Sequence, residues 1–385
     1  MNPPHRENIR LMQAMSVVRA ADARIRGWLV AGLVALGFSL VAGWVPDAFA
    51  RQPDSAGREP LRVVATFSIL GDMVREVGGT DVQVDTLVGR NADAHEFEPS
   101  PADVRKLAAA QLVVANGLGF EPWLARLQQA AGYKGVTVLA SAGVPTRRFT
   151  ELGACAAPAR RHDRAPACHD HGGHQHGDNH QDAHDHDHDH DHDHAPGEGS
   201  KAGHTEPVDP HAWQSLPNAI IYVRNIAAAL AQADPARAEV YQRRAADYTG
   251  RIKAMDARVR AAFAALPPER RRAVIAHDAF GYFGETYGIT FIPAKGVSTA
   301  AEPSAAGVAA IIAQVRRDAV PALFVENIGN ARLIEQIARE TGARVGGRLY
   351  TDALAPVGQP ADNYLSMFQH NVDAFMSALA TAGKP

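Results

Sequence analysis

The stretch from Pro235 to Leu266 carries the longest helical pattern in the chain, and it limits every fold the chain can adopt. Tyr241, Ala245, Tyr248, Ile252, Met255, Val259 and Phe263 step by four and three, which draws one apolar stripe along one face. Pro267-Pro268 then ends the helix. A helix of about thirty residues is roughly 45 Å long, the diameter of a whole domain. Such a rod can run the length of two lobes and join them stiffly.

The patterns on either side of the rod are alike. Before it, Leu61–Phe67 reads as a buried strand, Ile69–Val77 as a helix and Val82–Val88 as a second strand. Ser100-Pro101-Ala102-Asp103 is a helix start, with Ser as cap, Pro at the first helical position and an acid at the third. That helix runs to about Ala110, and the strands Gln111–Ala115 and Val136–Ala140 follow. Pro217–Ala231 reads as a helix leading into the rod. After the rod come the strands Ala273–Ala276, Thr290–Pro293, Ala322–Val325 and a weaker Arg344–Tyr350. Between and after them lie the helices Phe280–Tyr287, Ser304–Arg317, Ala331–Thr341 and Ala361–Ala380. This β-α alternation predicts an α/β fold of two lobes, each with a mainly parallel sheet flanked by helices, joined by the long rigid helix. The expected divisions are a leader over 1–50, a first lobe over 51–234, the linking helix over 235–266 and a second lobe over 267–385.

One segment of the first lobe cannot contribute to a core. From Cys155 to Glu206 the composition collapses to His, Asp, Gly and Ala, and 13 of the chain's 18 histidines lie between His162 and His204. With almost no apolar residues, it is expected to be disordered without metal. His184, His186, His188, His190, His192 and His194 alternate with aspartates. Such a run reads as a flexible, multidentate metal collector. A solvated acidic linker is the alternative, since the segment holds eleven Asp or Glu against four Lys or Arg. Solvation needs no histidine, which favours the collector. Cys155 and Cys168 are the only cysteines. They could pair in an oxidising compartment, ligate metal, or do neither.

The N-terminus reads as a secretory signal peptide. Arg19, Arg24 and Arg26 precede an uncharged run from Gly27 to Pro46, and Ala48-Phe49-Ala50 is a small-x-small cleavage signature before Arg51. Met15 is a candidate start, because the basic region is otherwise long. The run could also span a bilayer as an uncleaved anchor. No Cys stands at the cleavage point, which argues against lipid attachment there. The net charge of −3 gives no reason to expect a nucleic acid or an acidic membrane as partner.

Outside the insertion and the N-terminus four histidines remain: His95, His211, His277 and His370. His95 follows the strand Val82–Val88, His277 follows Ala273–Ala276, and His211 lies in Asp209-Pro210-His211 shortly before a helix. Asp352 follows the strand ending at Tyr350. In open α/β sheets, ligands bind outside the carboxyl ends of the strands. Two lobes with those ends facing each other would gather these four side chains. Three imidazoles and one carboxylate suit four-coordinate zinc, whereas manganese prefers more oxygen. Each histidine taken singly is more often structural than ligating, so spacing alone does not establish the site. His370, on a helix with no acid of site character nearby, reads as a surface residue.

Several segments in order carry a family resemblance. Asp93-Ala94-His95-Glu96-Phe97-Glu98-Pro99-Ser100-Pro101-Ala102-Asp103 resembles the first metal motif of the zinc- and manganese-uptake ABC transporter binding proteins, cluster A-I. Asn116-Gly117-Leu118-Gly119-Phe120-Glu121, Asp209-Pro210-His211-Ala212-Trp213, His277-Asp278-Ala279-Phe280, Glu302-Pro303-Ser304, Phe324-Val325-Glu326-Asn327 and Thr351-Asp352 are similar to further signatures of that family. The resemblance covers Leu61 to about Ala380, with the insertion where zinc-type members have one. It implies a periplasmic protein that binds metal between two lobes and delivers it to an inner-membrane ABC transporter permease. A monomer is expected. The implied ligands are His95, His211, His277 and Asp352. Manganese-type members typically carry Glu at the third position, so His277 points to Zn2+ over Mn2+. The wording around His95 resembles manganese-type members as much as zinc-type ones. In some zinc-type members water replaces the fourth ligand.

Other functions find less support. A zinc hydrolase needs an open coordination position and a general base. Neither H-E-x-x-H nor G-x-S-x-G occurs. The expectation is therefore a binding protein and not an enzyme. A zinc buffer or adhesin without a transporter is compatible with the same residues.

Overall fold

A computed structural model describes residues 58–149, 208–296, 299 and 302–381. The leader over 1–50, the pairing of Cys155 with Cys168 and the run from His184 to His194 lie outside the described residues. Among the described residues no helix is long and apolar enough to cross a membrane.

The first lobe holds β1 (Leu61–Phe67), α1 (Ser68–Gly78), β2 (Val82–Val88), α2 (Pro101–Ala109), β3 (Leu112–Ala115), α3 (Leu124–Ala131) and β4 (Val136–Leu139). Its strands form one parallel sheet in the order β2-β1-β3-β4. Two helices follow: α4 (Leu216–Ala233) and α5 (Ala238–Ala264). The second lobe holds β5 (Arg272–Ile275), α6 (Gly281–Tyr287), β6 (Thr290–Pro293), α7 (Ala305–Arg317), β7 (Ala322–Glu326), α8 (Arg332–Thr341), β8 (Arg344–Leu349) and α9 (Tyr364–Thr381). Its parallel sheet has the same layout, β6-β5-β7-β8. In both sheets the strand order reverses direction beside the first strand, which creates a crevice at the carboxyl ends.

α5 is the rod read from the sequence. All seven residues of its stripe are buried. The helix proper begins at Ala238, because Pro235–Arg237 winds as a 3-10 turn. Its 27 residues span about 40 Å. It packs on α1 and α4 at one end and on α6 and α9 at the other. One apolar core runs through both lobes, with Phe67, Trp213, Tyr248, Phe263, Phe283 and Tyr364 among its members.

Local signals explain most boundaries. Ser100 and Asp103 form a reciprocal capping box at the start of α2. α9 starts at Tyr364, three residues later than expected, because Asn363 and Ser366 exchange cap hydrogen bonds there. The helix α3 was not anticipated. Its cap position is Trp123, which has no side-chain acceptor to mark a start.

The segment after β8 crosses back to the first lobe. Leu354 N donates to Ser68 Oγ at 3.0 Å, and Tyr364 N donates to Asp72 Oδ2 at 2.8 Å. Arg90 Nη1 donates to the carbonyls of Ala355 and Asp362, both at 2.6 Å. The described chain on the two sides of the insertion also meets. Asp209 N donates to Arg147 O at 3.0 Å, and Arg148 pairs with Val208 as an antiparallel bridge.

Candidate metal centre

His95, His211, His277 and Asp352 come together in the cleft. One ligand atom from each lies within 4.8 Å of the others. His95 Nε2 and His277 Nε2 stand 3.2 and 3.1 Å from Asp352 Oδ2, and His211 Nε2 stands 3.4 Å from His95 Nε2. Three of the four are fully buried, while the His95 side chain keeps 9% of its surface exposed. Of the four, His95 alone reaches the surface. His370 lies apart on α9, with Nε2 3.0 Å from Arg348 O.

Strand ends position each group. His277 follows β5, and Glu326 ends the neighbouring β7. These two strands flank the point where the second sheet reverses order. Glu326 Oε2 stands 2.6 Å from His277 Nδ1, and Oε1 accepts from His277 N at 3.2 Å. Asp352 follows β8, and Trp213 Nε1 and Gln214 Nε2 both donate to the adjoining Thr351 carbonyl. His95 sits in the turn after β2, where its backbone N donates to Asp93 Oδ1 at 2.8 Å. Thr299 of the second lobe donates to the other Asp93 oxygen at 2.6 Å.

His211 has an equally defined setting. Asp209 Oδ1 lies 2.8 Å from His211 Nδ1 and accepts from His211 N at 2.9 Å. Asn116 Nδ2 donates to Pro210 O at 2.9 Å. Asn116 is held by Tyr222 and by Glu121, whose carboxylate accepts from Thr66 and from the amides of Asn116 and Gly117. Phe120 and Trp213 pack edge-on against the His211 ring. Carboxylates behind Nδ1 of His211 and His277 select the tautomer that leaves Nε2 free to ligate.

The electrostatics favour a cation. Burial opposes charge on His277, but Glu326 and Asp352 outweigh it and hold the imidazole well above its ordinary value. Burial also opposes ionisation of Asp352, yet His277 and His211 hold its carboxyl well below the usual range. His277 Nε2 and both Asp352 carboxylate oxygens are buried without a hydrogen bond, although they lie close together.

All four residues singled out from the sequence converge. Asp209 and Glu326 stand within the motifs quoted above, where the sequence alone assigns them no task. A carboxylate two residues before a histidine, and a glutamate ending an otherwise apolar strand, were the available signals. Arg147, which pairs with Asp209, went unremarked.

A family model described as zinc-uptake complex component A, periplasmic, matches residues 63–378. Similar proteins include the iron-binding protein YfeA of Yersinia pestis, 28% identical over 326 residues that cover 85% of this chain and 88% of that protein. The manganese ABC transporter substrate-binding lipoprotein PsaA of Streptococcus mitis is 26% identical over 331 residues, covering 85% of this chain and 92% of that protein. Among solved structures, the periplasmic zinc-binding protein TroA from Treponema pallidum superposes with a TM-score of 0.66 at 25% identity, covering 84% of this chain and 99% of that one. These relatives are named for binding metals, not for catalysis. By its matched length, its paired parallel-sheet lobes and its shared architecture, the chain belongs to this family of periplasmic metal-binding proteins of ABC transporters, and it is not an enzyme.

Proposed function

We propose that the chain captures Zn2+ through His95, His211, His277 and Asp352 and delivers it to the inner-membrane permease of an ABC transporter. The observation that carries this reading is the set of orphaned polar atoms, His277 Nε2 and the two Asp352 oxygens. Buried polar atoms without partners are costly. A dication at their convergence would satisfy all three. Three imidazole nitrogens and one carboxylate suit zinc, which accepts nitrogen and oxygen in a tetrahedral set. Manganese is the second reading, favoured by relatives named for it and disfavoured by a site with one oxygen-donor residue.

The remaining parts of the proposal follow from the sequence. Residues 1–50 direct export and are removed. The mature chain divides at 51–234, 235–266 and 267–385 and works as a monomer. His184, His186, His188, His190, His192 and His194 gather zinc at weaker auxiliary sites. Elemental analysis of protein purified from the periplasm without added metal tests the ion, and zinc should dominate. Calorimetry tests the ligands: a His95→Ala/His277→Ala variant that binds zinc as tightly as wild type would refute the site.

A further inference from the structure

Arg147 stands behind His211 and does not face the cleft. One guanidinium nitrogen, Nη1, donates to Asp209 Oδ2, while the other oxygen of that carboxylate holds His211 Nδ1 and N. Arg147 Nε reaches to Glu285 Oε1 at 2.9 Å on α6 of the second lobe. Backbone contacts complete the arrangement. Arg147 N donates to Tyr282 Oη at 3.2 Å, and that hydroxyl donates to Asp209 O at 3.1 Å. The guanidinium lies 5.9 Å from the Tyr282 ring centre.

Gly281 shows that the space for this guanidinium is built in. A Cβ there would fall 1.7 Å from Arg147 Nη1, 2.2 Å from Cζ and 2.8 Å from Asp209 Oδ2. Gly281 opens α6 without a left-handed backbone to demand glycine. Passage of the Arg147 side chain accounts for the glycine. Asp209 is fully buried, and a buried carboxylate requires a compensating charge. Arg147 supplies it at Oδ2 and leaves Oδ1 for His211.

We infer that Arg147 is a positioning residue for metal capture: it clamps Asp209 so that His211 presents Nε2 to the cleft. The inference rests on the proposed ligand role of His211. Side-chain 15N shifts of the histidines in the metal-free protein report which ring nitrogen carries the proton, and zinc competition with a chelator reports affinity. Arg147→Ala should lower zinc affinity by about 10–100-fold, the usual effect of losing an outer partner of a ligating histidine. It should also mix the His211 tautomers and leave the His277 signals in place. Arg147→Lys should restore part of both, since lysine keeps the charge but lacks the planar fork. Gly281→Ala should reproduce the Arg147→Ala effects with no change of charge. If Arg147→Ala does not fold, Gly281→Ala and Arg147→Lys carry the same readouts. Folded Gly281→Ala protein with wild-type affinity and a single His211 tautomer overturns the inference. His211→Ala separates the two claims. If it keeps tight zinc binding, the ligand assignment fails; if it alone among these variants loses affinity, only the role of Arg147 fails.

Discussion

Replacing Glu326 by Gln should remove one charge and one acceptor from behind His277 while keeping the side chain's shape. Glu326 now serves two donors of that residue, Nδ1–H at 2.6 Å and the backbone N–H at 3.2 Å. Glutamine has one oxygen, so one buried donor would face an amide NH2 group. An unsatisfied buried donor costs about 1–3 kcal/mol, in keeping with a roughly 10–100-fold loss of metal affinity. The pH dependence should move in a definite sense. In the wild-type metal-free protein, His277 keeps its proton above the ordinary 6.5, because Glu326 and Asp352 outweigh the opposing effect of burial. Zinc must displace that proton, so affinity should climb with pH up to the raised value and level off above it. Without Glu326 the proton leaves at lower pH and the climb comes earlier. The two affinity curves should therefore approach each other in acid and separate in alkali. Chelator competition followed from below the ordinary 6.5 to well above it reads both curves. Parallel curves, or equal affinities at the alkaline end, would refute the reasoning.

Three further outcomes are expected. Asp72, pushed up to about 6 chiefly by burial, loses about 3 kcal/mol of stabilising influence as pH rises from 3.8 through that value; Asp72→Asn should recover up to about that much above pH 7 and little below pH 4, measured by urea denaturation of metal-free protein. His277→Glu exchanges a borderline nitrogen for a hard oxygen, so the ratio of zinc to manganese affinity should fall, and an unchanged ratio would sink the argument from the third ligand. Excision of Cys155–Glu206 should leave one tight zinc site per chain and remove weaker ones, as read by titration against a chelator; loss of the tight site in a folded product would mean the segment supplies primary ligands.

The parts legible in the sequence are those set by local chemistry. The stripe of α5 was exact because a helix buried on one face must repeat its apolar residues at that spacing. Val82–Val88 and Thr290–Pro293 were read to the residue. The helix α3 is not legible from its start, which carries no side-chain cap; only Gly132, left-handed at its end, marks it. His95, His277 and Asp352 follow strands and His211 shortly precedes a helix, which makes each a candidate without establishing a site. Their convergence came from the resemblance, because spacing cannot say how two sheets face each other. The pairings of His277 with Glu326 and of Arg147 with Asp209 bridge 49 and 62 positions. Such contacts are products of the tertiary fold and leave no local pattern.

The meeting of Arg147 with Asp209 and of Arg148 with Val208 has a consequence for how the protein can vary. A chain that leaves and re-enters the frame at neighbouring points imposes little on that frame. Doubling the length of a flexible connection adds only about 0.6 kcal/mol to the entropy of closing it. Descendants could therefore lengthen, shorten or rewrite this stretch in a few genetic steps while the cleft stays intact. The same doorway suits engineering: a reporter domain with adjacent termini, spliced in beyond the Arg148–Val208 bridge, would join the frame next to the Arg147–Asp209 contact that backs His211.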